Sequence, residues 1–308
     1  MEEKEMIATA GMVTPSTQCI AIEGVDCTGK GSITELIERK GIGIPGIKTK
    51  RVDFPQYQLP SGQLILNYLN GRFGDASRLL EPVPKVSPDE WIGLVGNRIH
   101  NIKREINFIA SLYALNRVEY FKLNPMESNT VYVFDRYMFS NAIHQLSLLW
   151  WYLEKGEGHN FLKALWSLGK FKDGENVDFT DFVMQNVANE IVDMYENWKY
   201  YEYGMGVPKA FTFLLTLDTD TVMERLKKRK VVKHEGDDIL ERRPAIERSC
   251  MFVDNNETFY GLEGVFEVPV KELNEKNDVI ADVIIDSYHR LLCDSAVPDT
   301  PVGSDEDE

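Results

Sequence analysis

The sequence predicts an α/β fold in which a central parallel β-sheet is flanked by helices. Three short apolar runs, at residues 18–23, 131–134 and 210–217, indicate buried strands. Residues 32–40 follow the first run and place apolar side chains at helical spacing. Buried strands that end in glycine or charged residues and lead into helices are typical of parallel sheets, with functional groups at the carboxyl ends of the strands.

The length and composition indicate one domain with additions. The chain has 308 residues, of which 43% are hydrophobic and 27% charged, enough to bury a full core. We expect a single domain over residues 17–292, preceded by an extension at residues 1–16. Helical patterns predict insertions at about 70–110 and 146–205, and the Pro- and acid-rich residues 293–308 predict a disordered tail.

The composition disfavours several classes of protein. No apolar run reaches the roughly 20 residues of a membrane helix. The acidic start MEEKEM lacks the features of a signal peptide, so we expect a cytoplasmic protein that does not bind membranes. The net charge of −15 argues against broad nucleic-acid binding, because phosphate backbones are bound mainly by Lys and Arg. The four cysteines lack zinc-type spacing and are expected to be reduced thiols.

Residues 24–30 read GVDCTGK and match the phosphate-binding motif GxxxxGK between a strand and a helix. Glycines let backbone N–H groups turn towards a phosphate, and the start of the helix adds positive dipole. Lys30 supplies a charge that reaches the β- and γ-phosphates of a nucleoside triphosphate. The residues predicted to bind the phosphates of ATP at this loop are Gly24, Gly29, Lys30, Gly31 and Ser32.

Gly31 departs from this motif, because a Ser or Thr hydroxyl at its position normally coordinates magnesium. Ser32 is the nearest hydroxyl, but one residue further along a helix its side chain points about 100° away. Two routes therefore stay open for the metal. Either Asp135, phosphates and water hold it, or Ser32 moves in through altered loop geometry.

A second motif follows the second apolar run, where residues 135–145 read DRYMFSNAIHQ. With the loop extended to EGVDCTGK at residues 23–30, this run makes the chain resemble the thymidylate kinases, whose DRYxxSxxA motif is specific. Weaker matches in the right order are Phe54-Pro55 followed by Gly62 and Tyr68-Leu69, residues 112–119, and residues 206–209. Together the matches span most of residues 18–290.

The resemblance implies a P-loop kinase fold with a lid, ATP with Mg²⁺ as the phosphoryl donor, and dTMP as the acceptor. The product would be dTDP, for deoxynucleotide synthesis. The partners would be small nucleotides, and family members are commonly homodimers, for which an apolar helix in residues 100–120 offers an interface. Thymine, uracil or a modified pyrimidine all stay open as the base, because one methyl group is worth only about 1–3 kcal/mol of discrimination.

The resemblance also implies roles for four catalytic residues. Arg136 would bridge the acceptor phosphate and the transferring group, and Lys30 would neutralise the donor phosphates. Asp135 is similar to the family carboxylate near magnesium. Asp26 resembles the acidic loop residue that contacts the acceptor or metal-bound water.

For the acceptor, the family pattern implies a stacking ring at Tyr113, a base contact from Arg117, and a polar edge read by Ser140 and Asn141. His144 stands where many members place an aromatic ring against a ribose 2′-hydroxyl, which implies selection for deoxyribose. The full set of residues predicted to bind dTMP is Phe54, Tyr57, Tyr113, Arg117, Arg136, Ser140, Asn141, His144 and Gln145.

Tyr57 is a second departure, because members with the FPxR pattern use its arginine on the acceptor phosphate. A tyrosine can donate only one hydrogen bond. The missing charge could come from Arg51, Arg72 or Arg117.

A basic segment at about residues 225–250 predicts the lid, since a mobile segment that carries Lys or Arg can close over a triphosphate. Family members without an arginine in the phosphate loop use one from the lid, and this loop has none. We therefore expect Arg225, Arg229 or Arg242 to act on the phosphates.

Two other functions stay open. A deoxynucleoside kinase shares the phosphate loop but takes an uncharged hydroxyl as acceptor. This alternative stays open because Tyr57 replaces the arginine that would bind an acceptor phosphate. A protein that binds nucleotide without turnover is the other alternative, suggested by Gly31 and the two insertions.

Overall fold

The computed structural model describes residues 18–73, 79–167, 178–233, 243–255, 265–273 and 276–295. These residues form one five-stranded sheet in which every strand pairing is parallel, in the order β2-β3-β1-β4-β5. The strands are β1 (Cys19–Gly24), β2 (Lys48–Asp53), β3 (Thr130–Asp135), β4 (Phe211–Thr216) and β5 (Val265–Pro269). The prediction of a parallel α/β sheet is confirmed.

Nine helices flank the sheet in the part of the chain that the structure describes. They are α1 (Lys30–Lys40), α2 (Pro60–Leu69), α3 (Pro88–Leu123), α4 (Met138–Glu154), α5 (Glu157–Ser167), α6 (Phe179–Gly204), α7 (Thr219–Lys233), α8 (Arg243–Asn255) and α9 (Asn277–Ser295). The three strands predicted from apolar runs are β1, β3 and β4, each with bounds within two residues of the prediction.

The apolar runs form the centre of the sheet because both faces of these strands are covered. All six residues of β1 are buried, as are the first five of β3. Strands buried on both faces lose alternation and become continuously apolar, which explains why they were visible in the sequence. The edge strand β2 is mostly half-buried and reads KTKRVD, so its sequence did not indicate a strand.

The strand register places the two sequence motifs together at the carboxyl end of the sheet. Ile22 pairs with Asp135, and Gly24 pairs with Leu215, so the phosphate loop and the DRY run leave the sheet side by side. Gly24 has a φ of +140°, and a Cβ atom there would stand 2.6 Å from the carbonyl oxygen of Leu215. Only glycine therefore fits at the start of this loop.

The predicted insertions contribute long helices beside α4, the most buried helix. Helix α3 has 36 residues and begins with a capping box between Ser87 and Glu90, which satisfies its first N–H groups. Helices α3, α5 and α6 all contact α4. The insertions thus pack around α4 on the side that the sheet does not cover.

Some predicted segments fall partly or wholly outside the described residues. Residues 1–16 and most of 293–308 lie outside them, although α9 continues through Ser295 and makes the first three residues of the expected tail helical. The expected lid is represented by parts of α7 and α8, and residues 234–242 lie outside. None of the described helices combines the length and apolar character that a membrane span requires.

Candidate active site

The phosphate loop connects β1 to α1 through residues with left-handed backbone. Cys27 has a φ of 66° and Gly29 a φ of 104°. Lys30 is buried at the first position of α1, and its Nζ donates to the carbonyl oxygens of Gly24 and Val25, each at 2.7 Å. This arrangement holds an ammonium group at the N-terminus of a helix, where both the charge and the helix dipole favour phosphate.

Arg136 and Asp26 join the loop to the DRY run. Arg136 follows β3 with a φ of 66°, and its Nη2 donates to Oδ1 of Asp26. The same carboxylate oxygen lies 3.8 Å from Nζ of Lys30. Burial raises the pKa of the Asp26 carboxyl, but Arg136 and Lys30 outweigh burial and hold the pKa below its ordinary value. Asp26 is therefore a carboxylate at neutral pH and links two cations.

Glu23 positions this turn, and the sequence analysis missed it. Its carboxylate is fully buried and accepts hydrogen bonds from the backbone N–H groups of Tyr137 at 2.9 Å and Phe139 at 2.8 Å, and from the Ser140 hydroxyl. These groups lie at the start of α4, so Glu23 fixes the N-terminus of that helix from the end of β1. A charged residue inside an otherwise apolar strand was the available signal.

Asp135 stands against Gly31, where the usual hydroxyl is absent. A Cβ atom on Gly31 would lie 2.9 Å from Oδ2 of Asp135, so the carboxylate fills the space of a side chain at position 31. Arg51 Nη2 lies 3.4 Å from the same oxygen, while Arg51 also pairs with Asp53 at 2.5 Å. Ser32 is exposed on α1. An oxygen ligand of the kind that Mg²⁺ prefers is thus present beside the loop.

A cavity of about 140 Å³ opens beside the loop. The structure brings all nine residues predicted to bind dTMP around this one cavity. Asp26, Pro55, Leu69 and Tyr137 also line it. Phe54 and Tyr113 give it an apolar surface, while Arg136 brings charge to the end nearest the phosphate loop. The cavity and the phosphate loop therefore meet at the Asp26–Arg136 pair.

Three polar atoms on α4 have no hydrogen-bond partner among the described residues. They are Asn141 Oδ1, His144 Nε2 and Gln145 Nε2, all on residues that line the cavity. A buried polar atom without a partner costs about 1–3 kcal/mol. Burial lowers the pKa of His144 to about 4, so its ring is neutral at physiological pH. The cavity is therefore prepared for a ligand that supplies hydrogen bonds.

Two predicted base contacts, Arg117 and Ser140, have their polar groups engaged inside the protein. The Nε and Nη2 atoms of Arg117 each donate to Glu202 at 2.5 Å, and its Nη1 donates to the Tyr137 carbonyl at 3.2 Å. Burial disfavours the charge of Arg117, but Glu202 outweighs it and raises the pKa of the guanidinium. The Ser140 hydroxyl donates to Glu23. No sequence pattern pointed to Glu202, which lies 85 residues away on α6.

Arg51 and Arg72, two of the arginines proposed to supply the charge that Tyr57 lacks, lie away from the cavity. Arg51 lies beside Asp135, and Arg72 donates to the Asn67 side chain at 3.0 Å. Neither is among the described residues that line the cavity, whose arginines are Arg117 and Arg136.

Helix α7, which contains the start of the predicted lid, brings positive charge to the phosphate loop. Arg225 Nη1 donates to the carbonyl oxygen of Cys27 at 3.2 Å. Arg229 lies near enough to act electrostatically on Asp26. Arg242 lies outside the described residues.

The fold has counterparts among solved structures. A thymidylate kinase from Candida albicans superposes with a TM-score of 0.50, at 18% sequence identity, over 88% of this chain and 93% of that chain. The chain has the P-loop kinase fold. A deoxyadenosine kinase from M. mycoides with dCMP and dCDP bound aligns with a TM-score of 0.42 at 17% identity, over 89% of this chain and 99% of that chain. The same kinase with dATP bound aligns with a TM-score of 0.36 at 16% identity, over 90% of this chain and 98% of that chain. No protein-family model matches the sequence, and neither does any curated protein.

The pH dependence of ATP binding tests the role of Lys30. Burial, followed by Arg136, lowers the pKa of Lys30 to about 8. A bound triphosphate favours the charged amine and raises this pKa, so ATP affinity is full below about pH 8 and falls by up to tenfold per pH unit above it. Calorimetric titration with ATP from about pH 7 to 9.5 measures the slope. Lys30→Met should bind weakly with a flat profile, and an equal slope in both proteins would contradict the role.

The Arg117–Glu202 pair should carry much of the stability of the α3–α6 contact. Glu202→Gln leaves a buried guanidinium without its charged partner and should lower the free energy of unfolding by about 3–5 kcal/mol. Glu196→Gln is the matched control on the same helix, because its ion pair with Lys199 is half exposed and is worth below about 1 kcal/mol. Urea unfolding midpoints measure both. Equal small losses would mean that the buried pair does not hold α6.

Proposed function

We propose that this chain is a thymidylate kinase, which transfers the γ-phosphate of Mg²⁺-bound ATP to dTMP. One observation carries the proposal. Arg136 lines the acceptor cavity while its partner Asp26 belongs to the phosphate loop, 3.8 Å from Lys30. A guanidinium at the junction of the two sites can contact both the acceptor phosphate and the transferring group. The P-loop kinase fold supports phosphoryl transfer as the reaction class.

On the donor side, the chain supplies backbone N–H groups and cations. The loop around Gly29 and the N-terminus of α1 face the β- and γ-phosphates, and Lys30 neutralises their charge. Arg225 reaches the loop from α7 and would stabilise the transferring group while the lid excludes water. Positioning and charge neutralisation are the main requirements of this chemistry.

The residues around Gly31 fit a magnesium ion. The Asp135 carboxylate occupies the space that a hydroxyl-bearing side chain would fill, and Arg51 and Asp53 hold its position. Asp135 would hold the ion, and the chemistry that the ion would supply is neutralisation of the charge on the transferring phosphate. Of the two routes left open by the sequence, the geometry supports Asp135 over the exposed Ser32.

On the acceptor side, the charge of the catalytic groups favours a phosphate over a hydroxyl. A monophosphate oxygen is already anionic and needs no base, whereas a sugar hydroxyl must lose a proton. Asp26 is a poor base because its pKa is held below the ordinary value, against the effect of burial, by Arg136 and Lys30. Phe54 and Tyr113 would enclose the base, with Tyr113 as the stacking ring.

A deoxynucleoside kinase is the second candidate, and one observation favours it. Of the two arginines among the described residues that line the cavity, Arg117 is bound by Glu202, so Arg136 alone can meet an acceptor phosphate. Tyr57 adds at most one donor.

A product assay separates the candidates. Purified protein is incubated with ATP and Mg²⁺ and, separately, with thymidine, dTMP, dUMP, dCMP, dGMP and UMP, and products are resolved chromatographically. We expect dTDP from dTMP, and Arg136→Ala should lower kcat/KM by about 10³-fold, the order found for arginines that stabilise transferring phosphate. The matched control is Arg39→Ala, an exposed arginine in the last turn of α1, which should keep full activity.

The other outcomes assign other functions. Formation of dTMP from thymidine, with no dTDP formed from dTMP, would make the protein a nucleoside kinase. ATP binding without any product would support a non-catalytic nucleotide-binding protein. Gly31 would then be a sign of lost catalysis.

A further inference from the structure

We propose that residues 1–17, the segment that precedes β1, dock in an apolar groove between α3 and α6. The occupant of the groove is thus part of the same chain, and its methionine and aliphatic side chains hold it there. This inference rests on the fold and not on the proposed kinase function, because the residues that line the groove differ from those of the phosphate loop and the cavity.

The groove is an apolar depression of about 300 Å³ between the two helices. Small residues of α3 leave the space, and larger apolar side chains border it. The residues that line it are Ala110, Ser111, Ala114, Leu115, Trp198, Tyr201 and Met205. In the part of the chain that the structure describes, Leu115 is 48%, Tyr201 65% and Met205 48% exposed. Large apolar side chains that stay exposed around one depression are typical of a binding surface.

The strand order places residues 1–17 between the ends of the two groove helices. Helix α3 ends at Leu123 and leads into β3, and α6 ends at Gly204 and leads into β4. Because β1 lies between β3 and β4, the segment that precedes β1 leaves the sheet between these two connections. Gln18, the first described residue, donates from Nε2 to the carbonyl oxygen of Glu127 in the α3–β3 connection, at 3.0 Å. The segment therefore starts beside the groove helices.

The segment is long enough to reach the whole groove. Ala110 is the groove residue on α3 that lies furthest from the end of the helix, and it stands 13 residues before Leu123, about 20 Å along the axis. Met205 lies six residues before Phe211, which pairs with Ile20 of β1. Seventeen residues can span up to about 56 Å. Both ends of the groove are therefore within reach.

The segment also has the composition that an apolar groove requires. Residues 6–17 read MIATAGMVTPST and carry no charged side chain, although 27% of the whole chain is charged. Apolar pairs stand at residues 6–7 and 12–13, and each pair begins with methionine. Methionine is unbranched and polarizable, so it adapts to irregular apolar surfaces. The charged side chains of the segment are confined to residues 2–5, furthest from β1.

A segment of the same chain is favoured over a second copy as the occupant. Because the segment starts beside the groove, its effective concentration there is in the millimolar range. A stable interface between two copies buries about 800 Å² on each partner. A depression of about 300 Å³ accommodates only a few side chains, which suits two short apolar pairs.

Disulfide trapping in the full chain tests the proposal. Val13→Cys is combined with Tyr201→Cys, and Cys293→Ser removes the exposed cysteine of the described residues. Tyr201 is exposed on α6, so its replacement should leave the fold intact. We expect a disulfide within one chain, because docking brings positions 13 and 201 together. Peptide mapping by mass spectrometry under non-reducing conditions measures the rate at which the disulfide forms.

The matched control combines Val13→Cys with Asp286→Cys. Asp286 is exposed on α9, which packs against α1. The Tyr288 ring of α9 lies 6.1 Å from that of Phe211, so this helix also passes near the start of the segment. The groove pair should form its disulfide at least about tenfold faster than the control pair. Equal rates would overturn the proposal, and so would disulfides that link two chains, because the groove would then bind a second copy.

The indole N–H signal of Trp198 in the NMR spectrum provides a second measurement that needs no added cysteine. Trp198 lines the groove, and Trp198→Phe assigns its signal. Ile7→Asp/Val13→Asp places charge on both apolar pairs and should shift this signal, because the segment leaves the groove. Thr9→Asp/Thr14→Asp adds the same charge at polar positions of the segment and should leave the signal in place. An unchanged signal in the first variant, or equal shifts in both, would contradict docking.

Discussion

The bonds between the buried Glu23 carboxylate and the N-terminus of α4 support most of the site. Glu23 ends the apolar part of β1, and it accepts the N–H groups of Tyr137 and Phe139 at 2.9 and 2.8 Å. The phosphate loop begins at the next residue, and Arg136 lies immediately before those N–H groups. One side chain at the end of β1 thus fixes the start of the helix that carries the polar residues of the cavity, directly after Arg136.

The charges of the site are arranged as linked pairs that extend from the buried Lys30 to the exposed Asp53. Asp26 links Arg136 to Lys30, and Arg51 links Asp135 to Asp53. The buried Asp26 and Lys30 each have a partner of opposite charge, which offsets the cost of desolvation. Arg117 and Glu202 follow the same rule at the other side of the pocket, where α6 neutralises a cation that would otherwise be available to a ligand. Pairing, more than residue type, decides which cation can act on substrate.

Local patterns predicted the sheet centre and the phosphate loop, because each consists of consecutive residues. The residues around the cavity came from the resemblance to a known family. The long-range partners could not be predicted. Glu202 lies 85 residues from Arg117 and Glu23 lies 117 residues from Ser140, and only the fold brings them together. The role of Ser32 as a metal ligand, the homodimer and the cytoplasmic location stay predictions. The contact between Asp135 and Gly31 depends on the register of β1 and β3, which cannot be read from a single sequence.

The central claim is that the phosphate loop and the cavity form one continuous site joined at Arg136. The most direct measurement is the calorimetric affinity of a single molecule in which adenosine and thymidine are linked by a chain of five phosphates. A continuous site should bind this molecule at least about 10²-fold more tightly than ATP or dTMP, because the second half binds intramolecularly. An affinity no greater than that of ATP alone would mean that the loop and the cavity do not act on a shared phosphate chain, and would contradict the account.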